Sequence, residues 1–340
     1  MARVHLVPIA ERSFANGQLH PDTSFRLRES QRLDRFGVHT LTDDPDAADL
    51  ILFVRPLGEG TVFRYLFRHP LVRRHRSRCF LYDPNDRVVP LLPGVYPSVE
   101  RAWHHRNRTR SGAYLLAKDN PVLDEDHHGA ERTHLYSFLG TYFSAPVRAD
   151  LGRLDDPRGC CRDTFQEGDR IWRHGTEAEI LAFRRRYLET TWASHFVLCP
   201  RGYGASSMRL FETMRAGRAP VILADDWVPP EGPCWERFSV RVAEADWRTL
   251  PARLAAREAD AAAMGRLARQ QWEEWYAPPV LFHRTVEDCL SIGRARRLPE
   301  RVAGWLAALQ MLRPSHQRHW ARQTGLAQRL KKLVRRSARG

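Results

Sequence analysis

Lysine is almost missing from this 340-residue chain: Lys118, Lys331 and Lys332 are all it has, although lysine and arginine together number 54 against 40 acidic residues. The formal net charge of +14 is therefore arginine charge, as a base composition favouring arginine codons produces, so where the arginines stand matters more than their total. Also missing is any apolar run of about 18 residues, which excludes an expected membrane-spanning helix. The opening stretch is broken by Glu11 and Arg12 before a signal-like apolar segment is complete. A soluble, intracellular chain is expected. The six cysteines, Cys79, Cys160, Cys161, Cys199, Cys234 and Cys289, contain no CxxC pair and no framework spacing, which favours buried free thiols over a disulfide scaffold or a cysteine zinc site. The positive charge raises a competing class, a basic nucleic-acid-binding protein without catalysis. It comes without a zinc finger, an RNP-type aromatic strand or a helix-turn-helix pattern, so no nucleic-acid partner is expected.

What is present is concentrated at residues 196–224, FVLCPRGYGASSMRLFETMRAGRAPVILA. Residues 196–199 form a short apolar run without helical period, and Pro200 closes it because proline cannot continue a central ladder. In the loop that follows, Gly202 and Gly204 permit positive φ and the approach of a ligand to the backbone, while Ser206 or Ser207 can serve as N-cap. Leu210, Phe211 and Met214 supply the buried stripe of a short helix, Gly217 stands where a C′ residue belongs, and residues 219–223 read as the next parallel strand. Strand, loop, helix and strand in this order make a unit of a parallel α/β sheet.

Arg209 falls in the first turn of that helix, where the positive end of the macrodipole disfavours a cation by ~0.3–1 kcal/mol and a bound anion would compensate. Arg201, Arg209 and the backbone N–H groups between them are the parts of a diphosphate site. Glu212 shares the helical face of Arg209, placed to accept from ribose hydroxyls or to form an ordinary surface pair with the arginine. Asp225-Asp226 lacks the spacing of a metal-binding DxD motif and reads as a turn. The compensating charges are therefore arginines, and no metal is expected. Trp227, just beyond, is placed beside a base or sugar. Upstream, Asp83 ends an apolar strand at 79–82, either as a base facing an acceptor or as an Asx-turn residue. His5 and Glu11 border the loop after the opening strand at 4–9, and the pairs His104-His105 and His127-His128 sit in polar segments that read as solvated loops rather than a metal site.

CPRG at 199–202, the serine-containing loop, RLFE at 209–212, PVIL at 220–223, the Asp225-Asp226-Trp227 turn and FSV at 238–240 resemble, in order, the exostosin family, glycosyltransferase family 47. LYDPND at 81–86, FLGTYFSAPVRADL at 138–151 and the helix at 272–276 are similar too, extending the resemblance from about residue 45 to about residue 290. The resemblance implies an inverting transferase of the GT-B fold, two facing Rossmann-like α/β domains with a cleft between them, using a nucleotide sugar without a metal held through a DxD motif. It implies Arg148, in VRADL, as a cleft-facing anion contact; a surface arginine at a helix start is the other reading. The donor-binding candidates are then Arg148, Arg201, Gly202, Gly204, Ser206, Ser207, Arg209 and Glu212, with Arg209 and Asp83 as catalytic candidates. The expected partners are a UDP-sugar and a glycan or lipid-linked saccharide acceptor in polysaccharide biosynthesis.

The expected domains are an acceptor-side α/β domain at 1–155, a nucleotide-sugar-binding α/β domain at 156–300 and a C-terminal helix with basic tail at 301–340. Residues 153–169 read as the interdomain loop, and helices are expected at 25–36, 63–74, 177–191 and 299–312, with one long helix or a pair at 250–276. A helix from Leu326 would place Leu326, Leu330, Leu333 and Val334 on one face among Arg329, Lys331, Lys332, Arg335 and Arg336. That pattern suits an anionic membrane surface or a solvated basic end, hence a cytoplasmic chain with peripheral attachment to the inner membrane face.

Overall fold

Strands as apolar as LILFV at 50–54 and APVIL at 219–223 need cover on both faces, and the computed structural model shows how they obtain it. It describes residues 1–10, 21–56, 63–86, 88–116, 120–125 and 130–312. The first sheet holds β1 (Arg3–Pro8), β2 (Thr40–Leu41), β3 (Leu50–Val54), β4 (Cys79–Tyr82), β5 (Gly94–Val95) and β6 (Thr109–Arg110), ordered β2-β1-β3-β4-β5-β6. The second holds β7 (His134–Gly140), β8 (Gly159–Asp163), β9 (Ser194–Pro200), β10 (Ala219–Leu223) and β11 (Val240–Arg241), ordered β11-β10-β9-β7-β8. Every pairing between these strands is parallel. The two α/β halves expected from the sequence are both present.

Alternate residues of β3 serve opposite sides of its sheet. Ile51 and Phe53 pack with Leu66 and Val72, while Leu50, Leu52 and Val54 pack with Leu27 and with Phe282, Val286, Cys289 and Ile292 of the helix Pro278–Ala295. That last helix follows the second sheet in sequence but covers the first. The helix Glu300–Ala308 is tied down by a buried ion pair in which Arg108 Nη1 and Nη2 each donate to Glu300 at 3.1 Å.

The expected boundaries are corrected at both ends of the second domain. β7 and β8 belong to the second sheet, so that domain begins before His134 rather than at 156, and it ends before Pro278 rather than at 300, because the helix Pro278–Ala295 packs on the first sheet. Residues 153–169 are not a plain interdomain loop, since they contain β8 and the start of the helix Phe165–His174. β8 lies at a sheet edge with its last two residues exposed, which is why its sequence is polar. The helix expected at 25–36 ends at Arg32, and Pro70 divides the one expected at 63–74 into Phe63–Arg68 and Pro70–His75, because proline cannot donate within a helix. The cysteines are free, but Cys234 is exposed and Cys161 half-buried. Among the described residues no helix is long and apolar enough to cross a membrane. Glu11, His127-His128 and the tail beyond Leu312 lie outside the described residues.

Candidate functional site

The 196–224 stretch folds as its sequence dictates. β9 ends at Pro200, Ser207 takes the N-cap position without a side-chain cap bond, and the helix Met208–Arg215 buries Leu210, Phe211, Thr213 and Met214. Gly217, at φ +63°, ends it in a Schellman motif: Gly217 N–H donates to Met214 O at 3.0 Å and Arg218 N–H to Thr213 O at 3.1 Å. The chain then enters β10 directly.

Between the sheets lies a cavity of about 870 Å³. β7 brings Leu139 and Gly140 to its wall, the helix Met208–Arg215 brings Arg209 and Glu212, the helix Glu177–Trp192 brings Tyr187, and the first domain contributes Tyr114. Arg148, from the helix Pro146–Leu151, lines it as well.

Two guanidinium groups share one ring here. Arg148 Cζ lies 5.6 Å and Arg209 Cζ 4.5 Å from the centroid of Phe138, which is fully buried. Arg148 is anchored by donating from Nε to Arg201 O at 2.8 Å and from Nη2 to Pro200 O at 3.1 Å. Arg209 Nη2 donates to Leu139 O, Gly140 leaving the room, since a Cβ there would sit 2.7 Å from that nitrogen. Burial first, and the neighbouring Arg209 second, push Arg148 down to about 10. Arg209 Nε is buried without an acceptor. Two like charges and an unmatched donor in a half-buried wall are an electrostatic demand for an anion.

Glu212 does not pair with Arg209 in an i,i+3 contact; its Oε2 accepts from Tyr187 Oη at 3.0 Å. Burial, followed by Glu212, raises the Tyr187 phenol, so the tyrosine stays a donor and fixes one carboxylate oxygen. Tyr114 Oη bonds Ser98 Oγ at 2.8 Å, and burial, then Asp86, pushes it up to about 12.

The other expected site residues lie outside this cavity. Arg201 turns away: its Nε donates to Glu244 Oε1 at 2.8 Å, and the same oxygen accepts from Asp225 N. Neither Gly202 nor Gly204 has positive φ. Gly204 is instead a contact between domains, where a Cβ would come 2.7 Å from both Asp86 Oδ1 and Ser98 Oγ; this is close approach of protein, not of ligand. Ser206 and Ser207 are buried. Asp83 is buried against Arg55 Nη1 at 3.0 Å and accepts from Asn85 N at 3.1 Å, an Asx-type turn closed by an ion pair. At 2% exposure it presents no free carboxylate to the cavity. Trp227 is core, 1% exposed and edge-on to Trp235 at 5.0 Å. His5 Nδ1 meets Thr42 O, and His104 Nδ1 meets Thr109 Oγ1. Tyr187 and Tyr114 have no signal in the sequence, because nothing local marks a tyrosine whose partner is 16 or 25 residues away.

The Exostosin GT47 domain family matches residues 85–256, half of the chain. Over 87 residues the chain is 36% identical to the Exostosin-1 homolog of Caenorhabditis elegans, a match covering 25% of this chain and 22% of that protein. The chain thus spans about a fifth of that relative's length. Among solved structures, TarM aligns with 82% of this chain and 63% of its own at 9% identity and a TM-score of 0.41. A mutant TarM of S. aureus in complex with fondaparinux, α-GlcNAc-glycerol and UDP aligns with 84% and 61% at 11% identity and 0.41. MurG of Acinetobacter baumannii aligns with 82% of each chain at 10% identity and 0.34. These scores describe a loose likeness of shape.

Proposed function

The chain belongs to the exostosin family, glycosyltransferase family 47, and from that premise we propose that it transfers a sugar, with inversion at the anomeric carbon, from a UDP-sugar to a glycan or lipid-linked saccharide. The observation that carries the reading is the pair Arg148 and Arg209 against the ring of Phe138, with the buried Arg209 Nε lacking an acceptor. A diphosphate answers both features.

In this reading the acceptor oxygen forms a bond to the anomeric carbon while the bond to the diphosphate breaks. Charge grows on the departing oxygen, and the acceptor's proton passes to a base. The fixed guanidinium groups stabilise that growing charge in a water-poor wall, where no reorganisation is needed at the moment of reaction. No metal is needed for this role. Glu212, held by Tyr187 through one oxygen, keeps acceptor capacity for the ribose hydroxyls.

Attachment to the cytoplasmic face of an anionic membrane belongs to the same proposal, and the C-terminal helix supports it. Glu300, Gly304 and Ala307 face the first domain. Val302, Trp305, Leu306, Leu309 and Leu312 face outward, Trp305 at 70% exposure. Residues 313–340 then carry nine arginine and lysine residues and no acidic one. An apolar stripe beside such charge is the composition of an interfacial anchor.

The transfer reading is tested by incubating the protein with a panel of UDP-sugars and saccharide acceptors in excess chelator. UDP release that depends on acceptor, with a product of inverted anomeric configuration by NMR, is expected; a retained configuration, or no turnover with any donor, counts against it.

A further inference from the structure

Among the described residues one group of ligand-type side chains stands apart from the cavity: His39, His283 and Glu287, whose ligand atoms all lie within 4.8 Å of one another. His283 and Glu287 are one helical turn apart on Pro278–Ala295 and share a face. His39 comes from the first domain, two residues after Gly37, whose φ of +62° turns the chain toward that helix.

His39 Nε2 lies 3.1 Å from Glu287 Oε1, and taken alone the two make an ordinary hydrogen bond. That bond leaves His283 unexplained. Its ring stacks on Phe36 at 4.0 Å, and its Nδ1 is buried with no partner, as are His39 Nδ1 and Asp34 Oδ2 beside it. Burying unmatched imidazole nitrogens costs free energy that a ligand would recover.

We propose that His39, His283 and Glu287 bind a divalent transition-metal ion, with zinc the best fit, clipping the returning helix to the first domain. Two imidazoles and one carboxylate are a zinc ligand set, completed by water at the fourth position. Ligand atoms around tetrahedral zinc stand ~3.3 Å apart, given metal bonds of ~2.0–2.1 Å. His39 Nε2 and Glu287 Oε1, 3.1 Å apart, are already close to this value, and side-chain rotation brings in His283. None of the three ligands lines the cavity, so the ion's role is separate from sugar transfer, and this inference does not rest on the proposed activity.

The test uses the full chain stripped with chelator. Zinc is titrated by calorimetry, Co²⁺ by visible absorption, and melting is followed with and without zinc. The variants are Glu287→Gln and His283→Phe, the second keeping a ring against Phe36. Expected are one ion per chain, an intense tetrahedral-type Co²⁺ spectrum, a zinc-dependent rise in melting temperature and at least ~10-fold weaker binding in each variant. UDP binding in chelator should be the same in all three proteins. Absence of stoichiometric binding by the wild type overturns the proposal, as does binding that both variants retain at full strength. The Co²⁺ spectrum of the wild type decides the matter if the variants fold poorly.

Discussion

Replacing Arg209 with alanine separates what this side chain does for the fold from what it does for the reaction. Its structural contacts are the donation to Leu139 O and the approach to the rings of Phe138 and Tyr187, at 4.5 and 5.7 Å. One net hydrogen bond contributes ~1 kcal/mol, and a half-buried cation–π contact ~0.5–2 kcal/mol. Against these stands the repulsion from Arg148, which the substitution relieves, so stability should fall by only ~1–2 kcal/mol. The catalytic loss should be larger. Removing one preorganised donor from a site of developing negative charge costs ~10²–10³ in kcat, or ~2.7–4 kcal/mol. KM for the donor should change less, because the interaction strengthens as the diphosphate departs. Arg209→Lys should recover little, since a point charge cannot both reach Leu139 O and present a fork to the ligand. Steady-state kinetics beside thermal melts decide the matter. A folded alanine variant with kcat within ~3-fold of wild type would falsify the placement of Arg209 in the mechanism.

Glu212→Ala should weaken UDP binding by ~1.5–3 kcal/mol and erase discrimination between UDP and its 2′,3′-dideoxy analogue; calorimetry showing that discrimination intact would make Glu212 only a partner of Tyr187. Arg148, pushed down to about 10 by burial and then by Arg209, binds an anion as the protonated form. Its contribution is therefore present below its folded value and lost above it: the affinity advantage of wild type over Arg148→Met should hold from pH 7 to 9 and shrink as pH rises through about 10, and an advantage unchanged to pH 11 speaks against the contact. Deleting residues 313–340 should leave turnover on a soluble acceptor nearly intact while weakening co-sedimentation with anionic vesicles at low salt, and equal sedimentation of both proteins would remove the tail from the anchor.

What could be read in the sequence was local. The Pro200 stop, the buried stripe of Met208–Arg215 and the Gly217 ending depend on neighbours within a few residues, and each appears where the spacing placed it. Side chains whose partners lie far along the chain were not legible. Arg201 resembles a phosphate ligand until Glu244, 43 residues on, takes its Nε. Gly204 looks permissive for a ligand until Asp86 and Ser98 of the other domain are seen against it. Asp83 looks available until Arg55 covers it. The boundary at 155 failed because β8, an edge strand, is polar enough to read as loop. The return of Pro278–Ala295 to the first domain leaves no mark in a helix that is apolar on one face whichever sheet it covers.

The central claim, that fixed arginines meet the charge of a nucleoside diphosphate, is tested most directly by thermal unfolding of the chelator-treated protein with UDP. At a UDP concentration a hundred times its dissociation constant the stability gain should be ~2.7 kcal/mol, present in full without divalent metal and reduced in Arg209→Ala. A gain that appears only when manganese or magnesium is added, or one that Arg209→Ala retains in full, would contradict it.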